Sequence, residues 1–210
     1  MAPLEWADII YSPMSNPLPA DPIAQFSRWF ADAKACKAIL QANAMCVSTI
    51  DLNGFPDGRM LLLKGFDEKG FVFYTNHNSV KGQSLAKNPK ASLTFHWDPL
   101  KRQIRIQGTT SLVTDAEADA YWKTRPRISQ IGAWASIQSE PLDSNRTFIK
   151  RLADYALKFG VAPVPRPPYW TGVRVHPIKI EFWRERRGRL HERILYTRKD
   201  NGWNIVRLYP

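Results

Sequence analysis

The strongest constraint on this chain is a change of period near residue 40. Before it, apolar residues recur at helical spacing; after it, short apolar runs are broken by tight-turn signals. Residues 44–51 (AMCVSTID) are strand-like, Asn53-Gly54 marks a turn, and Arg59–Lys64 (RMLLLK) resumes the apolar run. A second turn near Asp67–Gly70 leads into FVFYT, residues 71–75, and strands near 90–97 and 102–113 follow. Runs this short, joined this tightly, predict an antiparallel meander. Two or three last strands fall at about 172–183, 189–198 and 203–208, with Asn201-Gly202 turning the final hairpin.

Helical segments are placed around these runs. Asp21-Pro22 offers an N-cap and a proline at the first helical position, and Ile23, Phe26, Phe30 and Ala33 share a face, predicting a helix over 22–40. Thr114-Asp115-Ala116-Glu117 is a capping box opening a short helix that ends before Pro126. A further helix, 144–159, carries Phe148, Leu152, Tyr155 and Phe159 on one face and stops at Gly160. The PVPRPP run, 163–168, reads as an extended connector. Residues 1–20 contain four prolines and no clear period, and read as a flexible N-terminal arm. Residues 21–210 then form one domain: a mainly β (α+β) fold with an antiparallel barrel-like core and helices packed around it.

Composition narrows the function. Of 210 residues, 44% are hydrophobic and 23% charged, the mixture of a globular chain. The formal net charge of +11 asks for an anionic partner. The basic residues are spread along the chain and no recognition motif accompanies them, which argues against nucleic acid. Two cysteines, Cys36 and Cys46, are too few for a disulfide scaffold and read as buried thiols. The N-terminus has no secretory pattern, and no window approaches the roughly 18 apolar residues of a membrane span. The expectation is a cytoplasmic protein. GxSxG, Walker, GxGxxG and HExxH motifs are absent, and His77, His96 and His176 have no partners at metal-ligand spacing.

Three constellations can carry chemistry. Strand 71–75 leads to Ser79, which can cap a short helix containing Lys81 and Gly82; the reading is a phosphate seat or an ordinary capped surface helix. Tyr121 and Arg125, four apart on the capping-box helix, share a face with Ser129 just beyond, and all three suit a phosphate monoester or a solvated helix end. Arg189, His191 and Arg193 alternate along a predicted strand, which puts them on one face toward an anionic or polar ligand, or toward water on an edge strand.

Taken in order, the blocks NAM (43–45), RMLLLKGFDEKGFVFYTN (59–76), RQIRIQG (102–108), TRPRISQIGAWAS (124–136), QS (138–139), IEFW (180–183), RLHER (189–193) and RLYP (207–210) resemble the pyridoxine (pyridoxamine) 5′-phosphate oxidase family of FMN enzymes, from about Asp21 to Pro210. The resemblance implies a split β-barrel of the FMN-binding type, assembled as a homodimer with FMN sites at the interface. It implies that Arg59, Met60, Leu61, Leu62 and Lys64 line FMN, with Tyr74 and Thr75 beside them and Ser79 and Lys81 on its phosphate. Gln103, Gln138, Ser139, Trp183 and Arg193 complete that site, in part from the partner subunit. Lys64, Tyr121, Arg125 and Ser129 hold the phosphate of a small pyridine substrate, while Arg189 and His191 face its ring as the catalytic pair.

The implied reaction is oxidation of pyridoxine or pyridoxamine 5′-phosphate to pyridoxal 5′-phosphate, with oxygen as acceptor and hydrogen peroxide as product. The alternative is a related FMN oxidoreductase acting on another substrate, such as a phenazine precursor. The chain departs from the family pattern at three places. Val80 stands where the family has an arginine beside Lys81, Glu192 replaces an aspartate, and Arg184-Glu185 replaces Gln-Gly. Arg59 and Lys64, five apart, cannot share a face of one regular strand.

Overall fold

A computed structural model describes residues 18–210; of the expected arm, residues 1–17 lie outside the described part. Leu18 packs on the core, and the Pro19 carbonyl accepts a hydrogen bond from Tyr196 Oη at 3.0 Å. Helix α1 (Pro22–Ala35) starts as expected, with the Asp21 carboxylate accepting from the Ile23 N–H at 3.0 Å. It does not run to residue 40. Its buried face ends at Ala33, Cys36 is extended, and Leu40 stands fully exposed, so nothing rewards further helix.

Nine strands follow: β1 (Ala44–Ile50), β2 (Pro56–Leu62), β3 (Gly65–Asp67), β4 (Gly70–Asn76), β5 (Lys90–Trp97), β6 (Arg102–Leu112), β7 (Trp170–Arg184), β8 (Glu192–Lys199) and β9 (Gly202–Leu208). All pairings are antiparallel, in the order β2-β1-β5-β6-β7-β4-β3, with β8 and β9 branching from β7. The expected meander does not form. β1–β2 and β3–β4 are hairpins, but β2 and β3 lie at opposite ends of the order, and β4 pairs with β7.

Only Leu63 and Lys64 join those two ends. The Leu63 N–H donates to Asn43 O at 2.8 Å, just before β1, and the Lys64 N–H donates to Val72 O on β4 at 2.9 Å. A two-residue link can bridge the ends only if the sheet curls until they meet, so the strands close as a barrel. On one edge, β7 pairs with β4 through Val175 and with β8 from Lys179. Pro177 lies between the two partners and has no N–H for either. Opposite it, the β6 register shifts at Gln107/Gly108, where any Cβ on Gly108 would meet the His176 carbonyl oxygen at 2.1 Å.

The barrel interior is filled by Met45, Val47, Leu93, Ile104, Ile106 and Ile180, and α1 inserts Phe26 edge-on against Phe66, Phe71 and Phe95. Cys36 and Cys46 are half-buried rather than buried: on β1 the inward places go to Met45 and Val47, so Cys46 faces the other way.

Outside the barrel lie α2 (Val80–Lys87), α3 (Asp115–Lys123), α4 (Arg127–Ala135) and α5 (Asn145–Phe159). Thr114 caps α3 through the Glu117 N–H, but the Glu117 carboxylate pairs with Arg174 at 3.0 Å, so only half of the expected capping box forms. Helix α4 was not foreseen; its buried Ile131 and Ala135 are its sequence signal. A second cluster of Trp122, Ile131, Val164 and Trp170 seats these helices against the start of β7. Among the described residues, no helix is long and apolar enough to cross a membrane.

Candidate active site

The first candidate anion seat lies where β4 hands over to α2. Ser79 caps the helix, its Oγ accepting from the Gly82 N–H at 3.3 Å and donating to Asn76 O at 2.6 Å. Lys81 is only 9% exposed; its Nζ donates to Ser79 Oγ at 3.2 Å and to Gln138 Oε1 at 3.3 Å. Burial holds its ammonium below the usual lysine range, and the nearby Arg59 guanidinium pushes the same way. No carboxylate among the described residues makes an ion pair with Lys81. Arg59 itself is held on β2 by Asp57, Val47 O and Thr49 Oγ1. Ser139 closes the seat by accepting from the Val80 N–H at 3.3 Å, and does so at φ 78, a conformation L-residues avoid. Gln138 and Ser139 therefore reach this seat from their own chain. Thr75 is buried beside it, near the end of β4.

The second seat opens further along the same stretch of chain. A cleft of about 580 Å³ gathers Met60, Leu61, Leu62, Lys64, Tyr74, Tyr121, Arg125 and Ser129. Lys64 lies past the end of β2, so the parity of the strand no longer binds it, and it lines this cleft while Arg59 lies near Lys81. Tyr121 stacks on Tyr74 at 4.0 Å, and Lys64 Nζ stands 5.8 Å from the Tyr121 ring centre. Tyr74 is pushed up to about 12 by burial and by the Glu117 carboxylate.

Arg125 does not share the α3 face with Tyr121 as expected, because α3 ends at Lys123. It instead lies over Trp170 at 4.7 Å and Trp122 at 5.2 Å, and donates to Ser129 O at 3.2 Å. Burial lowers its pKa, with no carboxylate beside it to compensate. The N-terminus of α4, flanked by Pro126 and Ser129, opens onto the cleft with no side-chain cap, which leaves N–H donors for an anion. Sequence reading missed that terminus, as well as Thr124 and Trp170 as walls; the Tyr-Trp pair heading β7 was the available signal.

The remaining candidates sit elsewhere. Gln103 pairs across the sheet with Trp183, and Trp183 with Arg193. Arg193 donates to the buried Glu181 carboxylate at 2.8 Å, which also takes Arg105 at 3.3 Å. Arg189, His191 and Arg193 do not alternate along one strand: Arg189 lies in a 3-10 turn at φ 61, His191 precedes β8, and only Arg193 belongs to it. Gly188 at φ 65 lets the chain turn there, so the expected extension of the strand back to 189 fails. The His191 ring packs 4.7 Å from Trp183, and its Nδ1 accepts from the Arg186 N–H at 3.3 Å. Trp183 is thirteen residues along β7 from Trp170, roughly 40 Å of strand. One chain therefore holds two separated groups of candidate residues.

A curled antiparallel sheet whose longest strand forks between two partners defines a split β-barrel, and beside it lie two groups of cationic and hydroxyl side chains of the kind that suits phosphorylated small molecules. Comparison with known proteins sharpens this class. A family profile described as pyridoxamine 5′-phosphate oxidase matches residues 32–157, and one described as pyridoxine 5′-phosphate oxidase C-terminal dimerisation region matches 170–210. The chain belongs to the pyridoxamine 5′-phosphate oxidase family.

It is 56% identical over 190 residues to a pyridoxine/pyridoxamine 5′-phosphate oxidase of Caulobacter vibrioides, covering 90% of this chain and 85% of that one. It is 50% identical over 193 residues to one of Brucella canis, covering 91% and 95%. Among solved structures, PhzG from Burkholderia lata in complex with tetrahydrophenazine-1-carboxylic acid superposes with a TM-score of 0.87 at 29% identity, covering 96% of this chain and all of that one.

Proposed function

We propose that this chain is an FMN-dependent oxidase that converts pyridoxine or pyridoxamine 5′-phosphate to pyridoxal 5′-phosphate, with oxygen as electron acceptor and hydrogen peroxide as product. The observation that carries the reading is the pair of anion seats joined by one stretch of chain, Arg59 at one end and Lys64 at the other. A phosphorylated cofactor and a phosphorylated substrate bound side by side need two such seats. The relatives at 56% and 50% identity carry the name of this activity.

The residues fit FMN. A buried lysine with no carboxylate in contact, at a capped helix N-terminus, would be further stabilised by a phosphate dianion. Ser79, Lys81, Arg59, Gln138 and Ser139 would hold that phosphate, and Met60, Leu61 and Leu62 would lie along the flavin. When bound, FMN supplies two-electron acceptance from the substrate carbon and delivery of those electrons to oxygen.

The protein's own residues bind and orient. Lys64, Arg125, Tyr121, Ser129 and the α4 N-terminus take the substrate phosphate, Arg125 acting from an aromatic surround where its charge is poorly screened. His191 Nδ1 accepts from a backbone N–H, so the neutral ring carries its proton on Nε2 and presents a donor. Arg189 beside it orients the pyridine ring.

Both residues stand at the far end of β7 together with Gln103, Trp183 and Arg193. They complete the site of a second copy, so the functional unit is a homodimer with shared sites. The match of residues 170–210 to a dimerisation region supports this.

The test is oxygen consumption by the yellow, flavin-loaded protein. Turnover of pyridoxamine 5′-phosphate far above that of unphosphorylated pyridoxamine or a phenazine precursor is expected. Flavin-loaded protein that leaves pyridoxamine 5′-phosphate untouched overturns the substrate. Arg189→Ala with unchanged flavin content should lose about tenfold in rate, ~1.4 kcal/mol in the transition state.

A further inference from the structure

The PVPRPP connector turns out to be tied down along its length. Prolines have no N–H, so the segment cannot join a ladder, and its carbonyls are free to accept from side chains. Trp122 Nε1 donates to Val164 O at 2.8 Å and Trp134 Nε1 to Pro165 O at 2.8 Å. Just upstream, Arg127 donates to Ala162 O at 2.7 Å. The one charged residue in the run, Arg166, reaches in three directions. Its Nε donates to Asp119 at 2.5 Å, its Nη2 to Asp115 at 2.6 Å, and its Nη1 to the Trp170 carbonyl at 2.9 Å.

Asp115 and Asp119 are one turn apart on α3, and Tyr121 follows on the same short helix. Trp170 is the surface on which Arg125 lies. The side chain of Arg166 is 14% exposed, whereas those of Asp115 and Asp119 are 89% and 51% exposed. An ordinary surface pair with such carboxylates contributes little to stability. A planar fork bonded to three groups on two elements contributes geometry instead.

We propose that Arg166 is a positioning residue for the phosphate end of the substrate cleft: by clasping α3 to the start of β7 it fixes Tyr121 relative to the Arg125–Trp170 pair. This rests on the reading of that cleft as the substrate-phosphate seat. Loss of the clasp lets α3 shift against β7, the two donors no longer converge, and substrate binding weakens. The flavin seat depends on α2, β2 and the 138–139 loop, none of which Arg166 touches.

The experiment uses the flavin-loaded enzyme and Arg166→Met. The expected result is a KM for pyridoxamine 5′-phosphate raised about tenfold with kcat and FMN affinity essentially unchanged. Arg166→Lys, which keeps the charge but not the fork, should show a smaller rise of about threefold, and it carries the test if Arg166→Met fails to fold. A purely structural role would lower kcat, flavin content and melting temperature together, and that outcome overturns the proposal.

Inorganic phosphate, titrated into the flavin-loaded protein by isothermal calorimetry, separates this proposal from the functional one. Weaker phosphate binding by Arg166→Met supports the clasp even if the wild type fails to oxidise pyridoxamine 5′-phosphate, a failure that overturns only the proposed function. Equal phosphate affinity in the two proteins overturns the clasp.

Discussion

Lys81 Nζ lies 3.2 Å from Ser79 Oγ, inside the first turn of the helix that Ser79 caps. A charge so enclosed, with no carboxylate in contact, costs the empty protein free energy that a bound phosphate would return. Lys81→Met should therefore raise the FMN dissociation constant about tenfold, ~1.4 kcal/mol, while leaving the flavin-free protein no less stable. Flavin fluorescence titration and denaturant unfolding read the two effects separately; an unchanged dissociation constant would remove Lys81 from the seat.

Val80, at the first position of the same helix, is 45% exposed. An arginine there would add a cation to the phosphate at the positive end of the helix dipole. Val80→Arg should tighten FMN by roughly three- to tenfold at low salt, with the gain shrinking as salt screens it. A gain that ignores salt would show that packing, not charge, is responsible.

Tyr74 keeps its proton up to about 12, against 10.0 for the ordinary phenol. Between those values the folded state binds more protons than the unfolded one, so stability is full below pH 10 and falls as pH rises toward about 12. Tyr169 and Tyr196 shift in the same direction, so the informative quantity is the difference between proteins. Tyr74→Phe should flatten the loss of stability in this window, measured by urea unfolding at a series of alkaline pH values.

Phe26 has no exposed surface and meets Phe66, Phe71 and Phe95 edge-on at 4.8–5.3 Å between ring centres. Phe26→Ala should cost about 3–5 kcal/mol, because the barrel walls are hydrogen-bonded and cannot collapse into the space. Chemical denaturation measures it; a loss under about 1 kcal/mol would mean α1 is not the plug of the barrel.

The proposed sharing of sites makes an arithmetic prediction. On that proposal, Arg125→Met and Arg189→Ala disable opposite halves of the site. In mixed dimers one of the two sites recovers both intact halves, so co-expression of the two variants should restore roughly a quarter of the wild-type rate. Sites built within single chains would give no recovery.

Local chemistry was legible wherever a few neighbouring residues decide the outcome. The Asp21 and Thr114 caps bond as their residue types dictate, and Gly160 ends α5 at φ 46. The three same-site groupings fared differently. Ser79 caps the helix that contains Lys81, as read, because that outcome depends on one helix turn. Tyr121 and Arg125 do line one cleft, yet not as helix neighbours; the helix ends first and Trp170 brings Arg125 in. The Arg189–Arg193 row failed as a strand because Gly188 makes a turn more favourable than extension.

What the sequence determined by itself is most of the elements, several of their caps, and the residue types that gather as candidate anion binders. Hydrophobic period, turn residues and charge are local quantities, and they act the same whatever the rest of the chain does. Strand partners are not local. That β2 and β3, two residues apart, end on opposite sides of the order follows only once the sheet closes and α1 fills it. The change of partner along β7 follows from Pro177 meeting the bulge at Gly108, two features more than sixty residues apart in the chain. The tertiary structure alone decided that Lys64 lines the cleft with Tyr121 while Arg59 lies near Lys81, and that Arg189 and His191 lie a barrel's length from them. Burial and ladder pairing are summed over the whole chain, so no window of sequence contains them.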